Sequence, residues 1–173
     1  MRAQADREGI QAFARALGRV APRGTKLYLT GGATAVVEGW RASTLDVDVR
    51  FEPESDEVFR RLAELKDELD LNVELASPPD FIPELPGWRE RSPFVFRAGH
   101  IDVHHFDPYS QALSKVERGF DLDLEDVSAM LERELIETAE LRRLFAAIEP
   151  ELFRYPAIDP PSFRVRLDAA LGR

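Results

Sequence analysis

The chain has 173 residues, enough for one domain, or one domain with a small helical appendage, around a real core. With no cysteine it excludes disulfides, iron–sulfur clusters, thiolate zinc sites and cysteine nucleophiles. A formal net charge of -9 argues against tight nonspecific binding to nucleic acid, though a local basic groove is compatible with it.

The opening MRAQADREGIQAFARAL lacks the apolar run of a signal peptide, and nowhere do about 18 apolar residues occur together. A cytoplasmic protein with no membrane partner is the expectation. Ile10, Phe13, Ala14 and Leu17 recur at helical spacing and predict an amphipathic helix over residues 7–20. After the turn at Pro22–Gly24, residues 26–30 (KLYLT) read as a strand, interrupted by Gly31-Gly32. A short buried helix over 33–38 follows, then a strand over 45–51 (LDVDVRF) with strict apolar–polar alternation. Ser55 starts the next helix, with Val58, Leu62, Leu65 and Leu69 on one face. Residues 71–75 (LNVEL) are a third strand candidate, and the proline-rich 77–92 an ordered loop holding Phe81, Ile82, Leu85 and Trp88. Residues 94–97 and 100–106 make a hairpin around Ala98-Gly99. Beyond Pro108 the chain reads helical to about Phe153, broken near Gly119. The expected architecture is α/β (α+β): a small mixed sheet flanked by helices over residues 1–108, with a helical C-terminal region, 109–173, packed on it as one compact unit.

Chemistry concentrates in Leu29-Thr30-Gly31-Gly32-Ala33 and Ser43-Thr44-Leu45-Asp46-Val47-Asp48. Two glycines between a strand and a helix let backbone N–H groups approach an anion closely. Asp46 and Asp48, two apart on a strand, project from one face, and such a pair repels itself unless cations neutralise it. Mg²⁺ or Mn²⁺ fits, since Mg²⁺ takes oxygen ligands and shares its coordination sphere with phosphates. Taken singly, a Gly-Gly is usually a turn and an Asp-x-Asp usually a solvated face; their combination, with Thr44 just ahead, is more specific.

This combination resembles the signature of the polymerase-β-like nucleotidyltransferases. It is most similar to small bacterial nucleotidyltransferase-like proteins that include toxins of abortive-infection-type toxin–antitoxin pairs. The shared pattern is Gly31-Gly32-Ala33-Thr34, then Arg41 through Asp48 as Arg-x-x-Thr-x-Asp-x-Asp, then Lys115 and Arg118 as Lys-x-x-Arg. The resemblance spans roughly residues 25–130. It implies a nucleoside triphosphate cradled by Gly31 and Gly32 beside Thr44, with metals held by Asp46, Asp48 and a third carboxylate on a neighbouring strand. It also implies that Lys115 and Arg118 reach the triphosphate, with Asp121 or Asp126 supporting them; for Asp123 a helix N-cap is the simpler role. A solvated helix face is the alternative for both cations, and Trp40 and Trp88 receive no role.

All three histidines lie in Gly99-His100-Ile101-Asp102-Val103-His104-His105-Phe106-Asp107. On a strand, His100, Asp102 and His104 share a face, a ligand set suited to zinc, manganese or iron. A second reading makes Asp102 the third carboxylate, which uses all three acids together and is preferred. A third reading is an ordinary strand with incidental polar residues. Glu74 in LNVEL competes with Asp102 for the same role.

The resulting expectation is a metal-dependent nucleotidyltransferase acting from an NTP on a hydroxyl of RNA, such as a tRNA end, or of protein. A toxin role with a cognate antitoxin partner is part of the same resemblance, and Arg41, Arg89, Arg91 and Arg97 are candidates for a local basic patch. The alternatives are a catalytically silent binding or regulatory protein on the same fold, and a zinc or manganese hydrolase built on His100, Asp102 and His104.

Overall fold

Runs rich in β-branched and aromatic residues make the central strand β1 (Thr25–Thr30) and its neighbour β2 (Asp46–Glu52). The computed structural model describes residues 1–172, and they divide into two units. Residues 1–77 and 92–106 form the first; residues 78–91 and the chain from Asp107 onward form the second.

In the first unit β3 (Asn72–Leu75), β4 (Phe94–Ala98) and β5 (Ile101–His105) complete a five-stranded mixed sheet of order β3-β2-β1-β5-β4. β1 runs antiparallel to β2 and parallel to β5, β3 is parallel to β2, and β4 and β5 form the expected hairpin. Every second residue on β2 is buried: Val47, Val49 and Phe51 join Leu27, Leu29, Val73, Ile101 and Val103 in one apolar cluster. Helices α1 (Arg7–Gly18), α2 (Gly32–Glu38) and α3 (Asp56–Glu68) supply the other half of that cluster, through residues such as Phe13, Val36 and Leu62. Alternation therefore leaves Asp46, Asp48, Arg50 and Glu52 on the face turned away from these helices. Asp6 and Ser55 cap α1 and α3 by accepting from Gly9 N and Val58 N, each contact contributing about 1 kcal/mol.

The second unit is helical: α4 (Pro108–Arg118), α5 (Asp121–Glu132), α6 (Thr138–Ile148) and α7 (Pro160–Leu171), with 3₁₀ turns at Pro78–Asp80 and Glu149–Arg154. The proline-rich loop belongs here, burying Ile82, Leu85 and Trp88, while Tyr155 Oη donates to the Pro79 carbonyl at 2.9 Å. The helical stretch breaks not only at Gly119 but again at residues 133–137, where Glu134 takes φ 58°. α7 lies beyond the predicted helical stretch; it is capped by Asp159 and anchored by Phe163 and Leu167, the former edge-to-face with Phe145 at 4.9 Å. Among the described residues no helix is long and apolar enough to cross a membrane.

Candidate metal and nucleotide site

The turn after β1 is built by glycine. Gly31 takes φ 59° and ψ -129°, a conformation that side chains rarely adopt, and a Cβ there would stand 3.0 Å from Asp48 Oδ2. A Cβ on Gly32 would fall 2.1 Å from Thr44 Oγ1 and 3.4 Å from an Arg41 guanidinium nitrogen. Thr44 in turn donates to the Asp46 carbonyl at 3.0 Å, fixing the entry to β2. Thr30, the last residue of β1, sits opposite Asp48. The structure thus brings Gly31, Gly32, Arg41, Thr44 and Asp48 to one place.

β3 extends the site. Its register sets Asn72 opposite Asp46 and Glu74 opposite Asp48, making a two-by-two block of three carboxylates and one amide at the sheet edge. Adjacent strands lie about 4.8 Å apart, so these four side chains are neighbours on one face. Asn72 Nδ2 donates to Asp46 Oδ1 and, at 3.2 Å, to Glu74 Oε1. Among the described residues no three His, Asp or Glu side chains converge as a ready ligand group, and at this block the amide stands between two of the acids. The acids at this edge are oxygen donors, the kind a hard divalent cation takes, with a side-chain-free turn beside them.

Asp102 does not join the block. It pairs with Lys26, which pairs with Glu52, so Asp102 is level with the far end of β2, roughly 13 Å along the strand from the level of Asp48. Arg97 clamps it through both guanidinium edges, Nε–Oδ1 at 2.6 Å and Nη2–Oδ2 at 3.2 Å. That guanidinium holds the Asp102 carboxyl below the usual carboxylate range. Strand order is the reason: β2 has β3 as its outer neighbour, and β1 separates it from β5.

Nor do the histidines converge. His100 lies in the hairpin turn, outside β5, with Nδ1 2.8 Å from the Ala21 carbonyl. His104 Nδ1 faces the Ser92 carbonyl at 3.0 Å, its ring beside Tyr28 and Phe94. His105 turns to the opposite, buried face, where Nε2 meets Glu38 Oε1 at 2.8 Å and Nδ1 meets Thr34 Oγ1 at 3.0 Å. Burial pushes its pKa down, partly offset by Glu38. This tie between β5 and both turns of α2 was not legible in the sequence, although the four-residue spacing of Thr34 and Glu38 is a signal for one helical face.

Lys115 and Arg118 lie in the second unit. Lys115 is 4% exposed, with Nζ 2.6 Å from Asp126 Oδ2 and 3.5 Å from Asp123 Oδ1. Arg118 meets Asp123 Oδ1 at 2.5 Å. Asp126 therefore supports Lys115 as expected, whereas Asp123 is no N-cap: Phe120 holds that position, and Asp123 joins the ion cluster. Asp121 is exposed in the first turn of α5. The Arg91 guanidinium grips the fully buried Asp107, which also caps α4 through Tyr109 N at 3.1 Å. Arg97 on Asp102 and Arg89 stacked over Trp88 at 4.3 Å also have partners, and Arg41 is not free either, so the four arginines proposed for a basic patch are all engaged within the protein.

A mixed α/β sheet with a carboxylate block at one edge and a Gly-Gly turn against it defines a polar site made by β1, β2 and β3. Residues 9–156 match the family described as nucleotidyltransferase of unknown function (DUF6036), and the chain belongs to that family. No curated protein and no solved structure matches it.

Proposed function

We propose that the protein is a metal-dependent nucleotidyltransferase whose cations are held by Asp46, Asp48 and Glu74. The observation that carries this reading is the block of three carboxylates packed beside the Gly31-Gly32 turn. Bound there, Mg²⁺ or Mn²⁺ would neutralise the triphosphate and the charge that develops as pyrophosphate leaves. The Gly31-Gly32 turn, bare of side chains, is the place for the phosphates, with the Arg41 guanidinium beside Gly32. Glu74, the most exposed of the three acids, takes the proton from the attacking hydroxyl. That oxygen bonds to the α-phosphorus as the bond to pyrophosphate breaks, leaving a nucleoside monophosphate on the acceptor.

Arg91 and Arg97 are matched by Asp107 and Asp102, and the net charge is -9, which favours a protein hydroxyl over a tRNA end as acceptor. A toxin role with a cognate antitoxin remains part of the proposal on the strength of the sequence resemblance. Lys115 and Arg118 serve the α4–α5 ion cluster in this reading.

The test is calorimetric titration of each NTP with and without Mg²⁺, on the wild type and on Asp46→Asn/Asp48→Asn. Metal-dependent binding that the double variant loses supports the site. Labelled NTP incubated with tRNA and with protein fractions then identifies the acceptor. No NTP binding by the wild type would instead favour the catalytically silent reading of the fold.

A further inference from the structure

We propose that Arg15, Arg19 and Arg23, at the end of α1 and in the turn that follows it, form a docking surface for an acidic polypeptide segment of a partner protein. The surface uses none of the residues of the carboxylate block, so it stands whether or not the protein transfers nucleotides.

In a chain of net charge -9, residues 9–37 hold no Asp or Glu, yet they hold Arg15, Arg19, Arg23 and Lys26. Exposed arginines such as Arg142, Arg143 and Arg154 each meet a carboxylate. These do not: Arg15 Nη2 reaches Gln11 Oε1 at 3.2 Å, and among the described residues Arg19 and Arg23 have no ion-pair partner. Lys26 stands apart, since its neighbours across the strands are Glu52 and Asp102. Arg15 and Arg19 are one helical turn apart and exposed, and Arg23 follows in the exposed turn before β1. The helix dipole accounts for cations at the end of α1, but not for Arg23 beyond it.

The turn that carries them is pinned. His100 N donates to the Gly18 carbonyl at 2.9 Å, Gly24 N to the His100 carbonyl at 3.2 Å, and Thr25 Oγ1 to the Pro22 carbonyl at 2.7 Å. A Cβ on Gly18 would fall 1.9 Å from the Ala98 carbonyl oxygen, so the β4–β5 hairpin sits against the end of α1. That hairpin brings no acid before Asp102, and Arg97 holds that one. A guanidinium fork matches a carboxylate bidentately, and a fixed frame lowers the cost of ordering on binding. Val20, 44% exposed, and the exposed Pro22 lie between Arg19 and Arg23 and give an apolar contact within the charge. This mixture suits a polypeptide with acidic and apolar side chains. A nucleic-acid backbone has no use for the apolar part, three cations neutralise few phosphates, and the net charge of -9 repels a long polyanion.

The experiment is fluorescence anisotropy of a labelled peptide of repeated Glu-Glu-Leu units at low salt. It compares the wild type with Arg15→Gln/Arg19→Gln/Arg23→Gln and with Arg142→Gln/Arg143→Gln/Arg154→Gln. The two triple variants change the net charge equally, so only the place of the lost charge differs. The first is expected to weaken peptide binding at least about tenfold, the scale of three exposed ion pairs, and the second to stay within about twofold. A repeated Gln-Gln-Leu peptide should not bind, a control that needs no variant of the protein. Equal losses in the two triple variants, equal binding of the Gln-Gln-Leu peptide, or no binding by the wild type overturns the proposal. Tighter binding of an oligouridylate of equal charge overturns it in favour of RNA. Sedimentation of the wild type as a dimer that the first variant dissociates overturns it in favour of a second copy of the chain.

Discussion

Glu74 and Asp102 are both acids on strands, both follow the Asp46–Asp48 pair, and only one of them stands beside it. If Glu74 holds the cation, Glu74→Gln is expected to weaken metal-dependent NTP binding at least about tenfold, since loss of a group that only supports a ligand already costs about 10–100-fold. Asp102→Asn should leave that binding within about twofold, because its carboxylate serves Arg97 on the other side of β1. Titrating both variants checks the pair, and equal losses would contradict the strand-order argument. Gly32 is a second residue-scale case. Its missing side chain is the space that Thr44 occupies, so Gly32→Ala should lower stability by about 1–3 kcal/mol through overpacking. Adding Thr44→Ala should recover part of the loss in urea denaturation, since the nearest clashing atom is the threonine hydroxyl oxygen. The Gly-Gly and Asp-x-Asp signals were readable as motifs. The participation of Asn72 was not, because an Asn on an edge strand has no meaning until the register names its neighbours.

Among the elements, α4 and α5 are joined by buried charge. Lys115 and Asp126 have side chains 6% and 1% exposed, so the pair is desolvated and its partners depend on each other. Lys115→Met takes the buried ammonium away from Asp126 and leaves Asp123 to Arg118, and should cost about 3–5 kcal/mol in chemical denaturation. The double change Lys115→Met/Asp126→Leu should recover much of that, because an apolar pair of similar size avoids the desolvation penalty. Loss in the double variant equal to the sum of the single losses would refute this coupling. The elements themselves were mostly legible: periods of two and of 3.6 located all five strands and the first three helices to within about two residues. The C-terminal helices were read as one stretch with one break, since Glu134 enters the left-handed region without a glycine to announce it. α7 falls within the expected helical C-terminal region but beyond the stretch read as helix, its anchors Phe163 and Leu167 lying past Pro160-Pro161 at its start.

For the whole molecule, the buried His105, bonded to Thr34 and to the half-buried Glu38, couples folding to pH. The unfolded chain protonates His105 near 6.5, while burial lowers that value in the folded protein. Above 6.5 both states are neutral at this residue and stability is complete; as pH falls below 6.5 the unfolded state gains protons first and stability declines. The melting temperature should therefore drop between about pH 6.5 and 5.5, and His105→Gln, which can still donate to Glu38, should flatten that dependence. A slope unchanged in His105→Gln would place the effect elsewhere. The sequence by itself determined the α/β class, the Gly-Gly turn, the Asp-x-Asp pair and the faces they occupy, because local periodicity and backbone sterics act over a few residues. Only the tertiary structure decided that β3 rather than β5 borders β2, that Glu74 and Asn72 share the edge with Asp46 and Asp48, and that Lys115 is held by Asp126. Strand order and ion pairing join residues far apart in the chain, and one-dimensional spacing carries no record of which partners meet.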